Sequence, residues 1–152
     1  MTNEEKRKLI RSYQEDYTKN TGEYIKITDC NKWESIANIS VNIPFWTLVK
    51  LIFDYTDWSK KSVFTIGSGR RQVEKVFARS LICFMAINNG NSYVDCAKAT
   101  HNHHTSIIHA VTEFENRLEL ELHVRKFFEE VCKYVRENYY IYENQEIKEE
   151  DV

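Results

Sequence analysis

The pattern of apolar and polar positions predicts a chain built mainly of helices. Apolar residues recur at three- and four-residue spacing, which is typical of helices with one buried face. Five long segments carry this pattern: Asn3–Tyr17, Phe45–Tyr55, Arg70–Asn88, His104–Arg117 and Leu122–Tyr139. Shorter helices are predicted over Asp29–Ile39 and Ser92–Ala99.

The connecting segments add one β element at most. Glu23–Thr28 alternates apolar and polar residues and predicts a short strand. Thr56–Gly69 is polar and reads as a loop with room for one helical turn, and Asn89-Gly90-Asn91 predicts a left-handed turn after a helix. One proline and four glycines argue against a turn-rich β-sandwich. The predicted fold class is therefore all-α.

Length and hydrophobicity set the domain organisation. With 152 residues, 42% of them hydrophobic, the chain is expected to form one domain with an extension. We divide it into an N-terminal extension (1–43), a helical domain (44–142) and an acidic tail (143–152) that is expected to fray. The polar first residues contain no signal peptide, and no apolar run approaches the ~20 residues that cross a bilayer. Four scattered cysteines favour reduced thiols, so we expect a soluble, cytoplasmic protein with no membrane partner.

Charge is distributed unevenly along the chain. The formal net charge of −2 conceals +5 over Trp58–Val111 and −6 over Thr112–Val152. Four of the five histidines also lie in the basic block. This asymmetry is typical of a protein that contacts a phosphate backbone through one region, although a solvated basic face without a partner fits the composition equally well.

The segment Ser92–Leu118 has the organisation of a helix-turn-helix. Ser92 begins a short helix, Thr100–His103 interrupts it, and a second helix with a buried stripe follows from His104. In such motifs the second helix presents its first side chains to base edges in the major groove of DNA. Hydroxyl and imidazole groups can form those hydrogen bonds, and a threonine methyl can contact a thymine methyl. The candidate base-reading residues are Asn102, His103, His104, Thr105, Ser106 and His109.

The sequence His104-Thr105-Ser106-Ile107-Ile108-His109-Ala110 resembles the signature core (R)DHTTVLHA of the DNA-binding domain of the bacterial replication initiator DnaA. Upstream, Ser68–Arg79 is similar to the basic loop and long helix of that family, of the SxxRxxEVVLAR type. The resemblance covers about Phe45–Glu137 and implies a helix-turn-helix bundle that binds double-stranded DNA. It implies a role in regulating replication or transcription, association with the nucleoid, and DNA contacts by Arg70, Arg71 and Arg79.

Two departures from the family pattern change the expected specificity. Asn102-His103 stands where the family has Arg-Asp, and Thr112-Glu113 stands where a lysine or arginine is common. A bidentate arginine contact with a base is worth ~1–3 kcal/mol of discrimination. We therefore do not expect this chain to read the initiator's own binding site with the same fidelity.

Other classes of function find little support in the sequence. The histidine run near Cys96 offers too few ligands on one turn for a structural zinc site, which takes ligands from two segments. There is no GxxxxGK[ST] phosphate loop and no HExxH motif, so no catalytic residue, metal or cofactor is expected. The alternative function is a protein-interaction module that uses the N-terminal extension or the acidic tail.

Overall fold

The computed structural model of the chain describes residues 2–23, 32–39, 42–64 and 70–152, with the backbone alone at residues 32 and 70–72. The chain forms two compact units, Met1–Lys32 and Trp33–Val152. The predicted boundary after residue 43 therefore falls inside the second unit. The reason is that Trp33, Ala37 and Ile43 are buried in the core of that unit.

In the residues that the structure describes, the first unit contains one helix, α1, over Asn3–Thr21. The Thr2 hydroxyl accepts a hydrogen bond from the Glu5 N–H, and the Glu5 carboxylate accepts one from the Thr2 N–H, both at 3.2 Å, so a capping box begins the helix. The helix ends at Gly22, which has φ +73° and is the residue type that tolerates this region. It runs four residues past the predicted end. The predicted strand over Glu23–Thr28 lies outside the described residues after Glu23.

The second unit is a bundle of seven helices in its described part. They are α2 (Lys32–Ala37), α3 (Phe45–Tyr55), α4 (Lys60–Phe64), α5 (Arg70–Asn88), α6 (Tyr93–Thr100), α7 (His104–Leu120) and α8 (Leu122–Asn138). Short 3-10 helices follow at Tyr139–Ile141 and Glu149–Asp151. No strand occurs among the described residues, so the all-α prediction is confirmed.

Three phenylalanines hold the long helices of the second unit together. The rings of Phe84 on α5, Phe114 on α7 and Phe128 on α8 lie 5.4–5.7 Å apart, centroid to centroid, and all three are fully buried. Burying each such side chain contributes about 1.5–3 kcal/mol. This cluster fixes α7 on the bundle.

The turn between α5 and α6 is held by a buried asparagine. The Asn89 amide donates to the carbonyls of Ala37 and Met85, both at 2.7 Å, and accepts from the Ile39 N–H at 2.8 Å. Gly90 follows with φ +95°, which confirms the predicted left-handed turn. Asn89 thus joins the segment before α3 to the end of α5.

The acidic tail packs against the second unit, so the expectation of fraying was wrong. Val152 packs against the hydrophobic core. The ammonium groups of Lys50 and Lys60 donate to the carbonyls of Asp151 (3.1 Å) and Glu149 (2.8 Å). The acidic composition concealed this arrangement because the tail's backbone and the side chain of Val152 make these contacts.

Cys83, Cys96 and Cys132 are buried free thiols, while Cys30 lies outside the described residues. Among the helices that the structure describes, none is long and apolar enough to cross a membrane.

Candidate nucleic-acid interface

The pair α6 and α7 is joined by a tight three-residue turn. The Ser92 hydroxyl accepts from the Asp95 N–H at 3.1 Å and caps α6, as predicted. At the other end His101 takes a left-handed conformation (φ 57°, ψ 37°). The Asn102 N–H donates to the Ala97 carbonyl at 2.9 Å, and the His101 N–H donates to the Lys98 carbonyl at 3.4 Å. These two bonds form the Schellman motif, which ends α6 and redirects the chain.

His103 begins α7 with its own side chain. Its Nδ1 accepts a hydrogen bond from the Thr105 N–H at 3.2 Å. An accepting Nδ1 is unprotonated, so in neutral imidazole the proton lies on Nε2, which is free to donate outward. The His103 and His104 rings lie 4.2 Å apart. Both are exposed, so the first turn of α7 presents two adjacent imidazoles, tilted 34° to each other, to solvent.

The faces of α7 are sharply divided. One is buried and consists of Ile107, Val111, Phe114 and Leu118. The opposite face is exposed and consists of Thr105, His109, Thr112 and Asn116, spaced by four, three and four residues. The sequence-based candidates stopped at His109. Thr112 and Asn116 were missed, although continuing the same spacing along α7 would have found them.

The scaffold under this helix pair is α5. Cys83 on α5 and Cys96 on α6 are buried against each other, and the hydrogen bond between the two thiols, together with burial, raises the pKa of Cys83 well above its ordinary value. The Cys83 thiol therefore packs in its neutral form, and its contact with Cys96 holds α6 on α5.

Arg79 lies near the start of α7. Its side chain is half-buried, and it lines a cavity of about 220 Å³ together with Asn102 and Ser106. Its Nε donates to the Lys75 carbonyl at 3.4 Å. The structure therefore brings three of the candidate residues together, in a groove between α5 and the turn.

Arg70 and Arg71 lie elsewhere. Their backbone forms the first turn of α5, and their side chains lie outside the described part of the chain. Helices α5 and α7 run antiparallel. Cys83, toward the end of α5, lines one groove with Ser106 near the start of α7. Val73, near the start of α5, lines another groove with Arg117 toward the end of α7. At 1.5 Å per residue, the twelve residues from Thr105 to Arg117 span about 18 Å. The two arginines and the start of α7 are therefore separate regions of the surface.

Charge divides α7 along its length. Residues 96–112 contain no carboxylate, and the acidic residues begin at Glu113. The N-terminal end of a helix also carries the positive end of its dipole, which favours anions there. Arg117, near the other end, pairs with Glu121 at 2.6 Å, and this pair lowers the pKa of the Glu121 carboxyl. Its guanidinium also lies 4.9 Å from the centre of the Phe77 ring.

No protein-family model, curated protein or solved structure matches this chain. In the part of the chain that the structure describes, no three His, Cys, Asp or Glu side chains are placed to hold a metal ion.

Proposed function

We propose that this protein binds double-stranded DNA through α6 and α7, as a regulator or accessory factor of replication or transcription. The observation that carries the proposal is the capped pair of helices on a three-residue turn, whose second helix exposes an uncharged polar face along Thr105, His109, Thr112 and Asn116. A helix with small polar side chains on its outer face can enter the major groove closely.

The electrostatics of the surface support this orientation. The half of α7 that would enter the groove has no carboxylate before Glu113, and exposed Lys98 lies on α6. The first helix of a helix-turn-helix crosses the DNA backbone, and the exposed position of Lys98 on α6 supports a phosphate contact there. Arg79 in the groove beside Ser106 supplies a second cation near the start of α7.

Arg70 and Arg71 fit a second contact on the same duplex. Along α7, Thr105 lies about 18 Å from Arg117, which is beside the start of α5. This distance is close to half a turn of B-DNA, about 17 Å. Half a turn along the duplex leads from a major groove to the adjacent minor groove on the same side. Arginine side chains are well suited to a minor groove or its phosphates.

The test is a binding selection on random duplex DNA with the full chain, repeated with Arg71→Ala and Thr105→Ala. We expect Thr105→Ala to change or abolish the selected sequence, because a base contact is lost. Arg71→Ala should weaken binding to all sequences and reduce the slope of log K against log salt by about 0.9 per lost phosphate contact. Arg11→Ala, an exposed position on α1, serves as the matched control and should change neither.

Two results would contradict the proposal. One is the absence of salt-sensitive retention of any duplex by the unmodified chain at low ionic strength. The other is an unchanged selected sequence and affinity in Thr105→Ala, since the face of α7 would then play no part in recognition.

A second candidate function is a protein-interaction module. In its favour, no residue of α1 is buried, and Leu9, Tyr13 and Tyr17 form an exposed apolar stripe. The simplest occupant of such a stripe is the α1 helix of a second copy of this chain. Light scattering would then report a dimer that Tyr13→Asp dissociates, and DNA retention would be absent or unaffected by Thr105→Ala.

A further inference from the structure

The exposed face of α7 lacks the side chains that read guanine. The commonest specific contact in the major groove is a bidentate one from arginine or lysine to guanine O6 and N7. From Ala99 to Asn116 the sequence contains neither residue. The next cationic residue, Arg117, is bonded to the Glu121 carboxylate and lies against the Phe77 ring of α5.

Methyl groups form a patch on this face instead. Ile108 is 41% exposed, so part of its apolar side chain faces solvent. Thr105 lies three residues before it and Thr112 four residues after it, so all three share one side of α7. The Thr112 hydroxyl donates to the Ile108 carbonyl at 2.9 Å. Its hydrogen is therefore used within the helix, which leaves its methyl group and the acceptor capacity of its oxygen for a partner.

The polar groups on the same face do not favour guanine. An imidazole such as that of His109 can donate one hydrogen bond to N7, which adenine and guanine share, so it does not distinguish the two purines. Asn116 carries the amide that pairs with adenine N6 and N7. The methyl patch and the Asn116 amide are therefore the groups on this face that can distinguish A·T from G·C base pairs.

We propose that α7 selects A·T base pairs by contact with thymine methyl groups, with Ile108 and Thr112 as its specificity-determining residues. The proposal rests on the DNA-binding function above and names the bases that this function reads. Thymine is the base with a methyl group in the major groove, so an apolar patch on a reading helix is satisfied by thymine and by no other unmodified base.

The experiment compares one selected duplex made in two forms, with thymine and with uracil in its place. Base pairing is unchanged, and only the 5-methyl groups are removed. For the unmodified full chain we expect a loss of about threefold to fourfold in affinity for each methyl contacted, the effect of one buried methyl-sized group. The selected sequence should itself be rich in A·T pairs.

Two variants locate the effect on the protein. Thr112→Ser removes one methyl and keeps the hydroxyl that bonds to the Ile108 carbonyl, so it should reduce the ratio of thymine to uracil affinity while binding the uracil duplex unchanged. Ile108→Ala should reduce the ratio further. Leu122→Ala removes a more exposed apolar side chain (58%) at the start of α8, outside the proposed reading face, and it should keep the full ratio.

Equal affinity of the unmodified chain for the thymine and uracil duplexes would overturn this inference, as would a selected sequence made of G·C pairs. In both cases salt-sensitive duplex binding would remain, and the DNA-binding function would stand. Loss of all duplex retention would instead overturn the DNA-binding function and this inference with it.

Discussion

Replacing Asn89 tests whether the turn between α5 and α6 is held by the asparagine amide. Asn89 is fully buried, and its amide makes three hydrogen bonds of 2.7–2.8 Å to backbone groups of Ala37, Met85 and Ile39. Asn89→Ala removes all three and leaves two carbonyls and one N–H without this partner. A hydrogen bond of this kind contributes about 1 kcal/mol net, and an unsatisfied buried group costs about 1–3 kcal/mol. We expect a loss of about 3–4 kcal/mol in the free energy of unfolding.

The neighbouring Asn88 supplies a matched control. Its amide donates only to the Phe84 carbonyl one turn back, at 2.8 Å, and the side chain is half-buried. Because alanine is the better helix former, Asn88→Ala should cost less than about 1 kcal/mol.

Urea denaturation followed by circular dichroism measures both variants. Thermal melting should show Asn89→Ala about 6–16 °C below the unmodified chain, at 2–4 °C per kcal/mol for a chain of this size. If Asn89→Ala is no less stable than Asn88→Ala, the amide does not hold the turn and the reasoning is refuted.

Three further predictions concern the helix-turn-helix and the core. Ser92→Ala removes the cap on the Asp95 N–H and should cost about 1 kcal/mol by urea denaturation, whereas no loss would mean that the cap is satisfied by solvent. His101→Gly relieves a left-handed conformation and should stabilise the chain by up to about 1 kcal/mol, so a destabilised variant would point to a contact of the imidazole. Burial raises the pKa of Cys132 from 9.0 to about 12, so the neutral thiol stabilises the fold fully below pH 9, and this contribution is lost as pH rises from 9 to 12. Between pH 8 and pH 10.5 the unmodified chain should lose about 2 kcal/mol more than Cys132→Ala, and equal losses would contradict this assignment.

The sequence was a good guide to the helices around the candidate site. Ser92 marks the start of α6, and the apolar stripe from Ile107 to Leu118 marks α7, because caps and periodic burial are local properties. The break between the helices was predicted at Thr100–His103, whereas Thr100 belongs to α6, where its buried hydroxyl donates to the Cys96 carbonyl. That contact depends on tertiary burial, which the pattern of residue types does not report.

Other features depended on contacts between distant segments. Trp33–Ile43 belongs to the second unit because Asn89 and the core bind it, and nothing in its own composition indicates this. The tail was misjudged for the same reason, since its partners Lys50 and Lys60 lie far away in sequence. The exposed face of α7 beyond His109 was missed because the candidates were taken from the signature segment, which ends at Ala110, while the helix continued to Leu120.

Because α5 packs antiparallel on α7, the two proposed DNA contacts lie at opposite ends of one rigid pair of helices. Once either end is bound, the other end is held at a fixed distance from the same duplex, so its binding becomes an intramolecular step governed by effective concentration. Residues such as Phe77 and Phe114, whose rings pack 5.9 Å apart between the helices, then influence affinity without touching DNA. In that arrangement the packing of the hydrophobic core sets the distance between the two proposed DNA contacts.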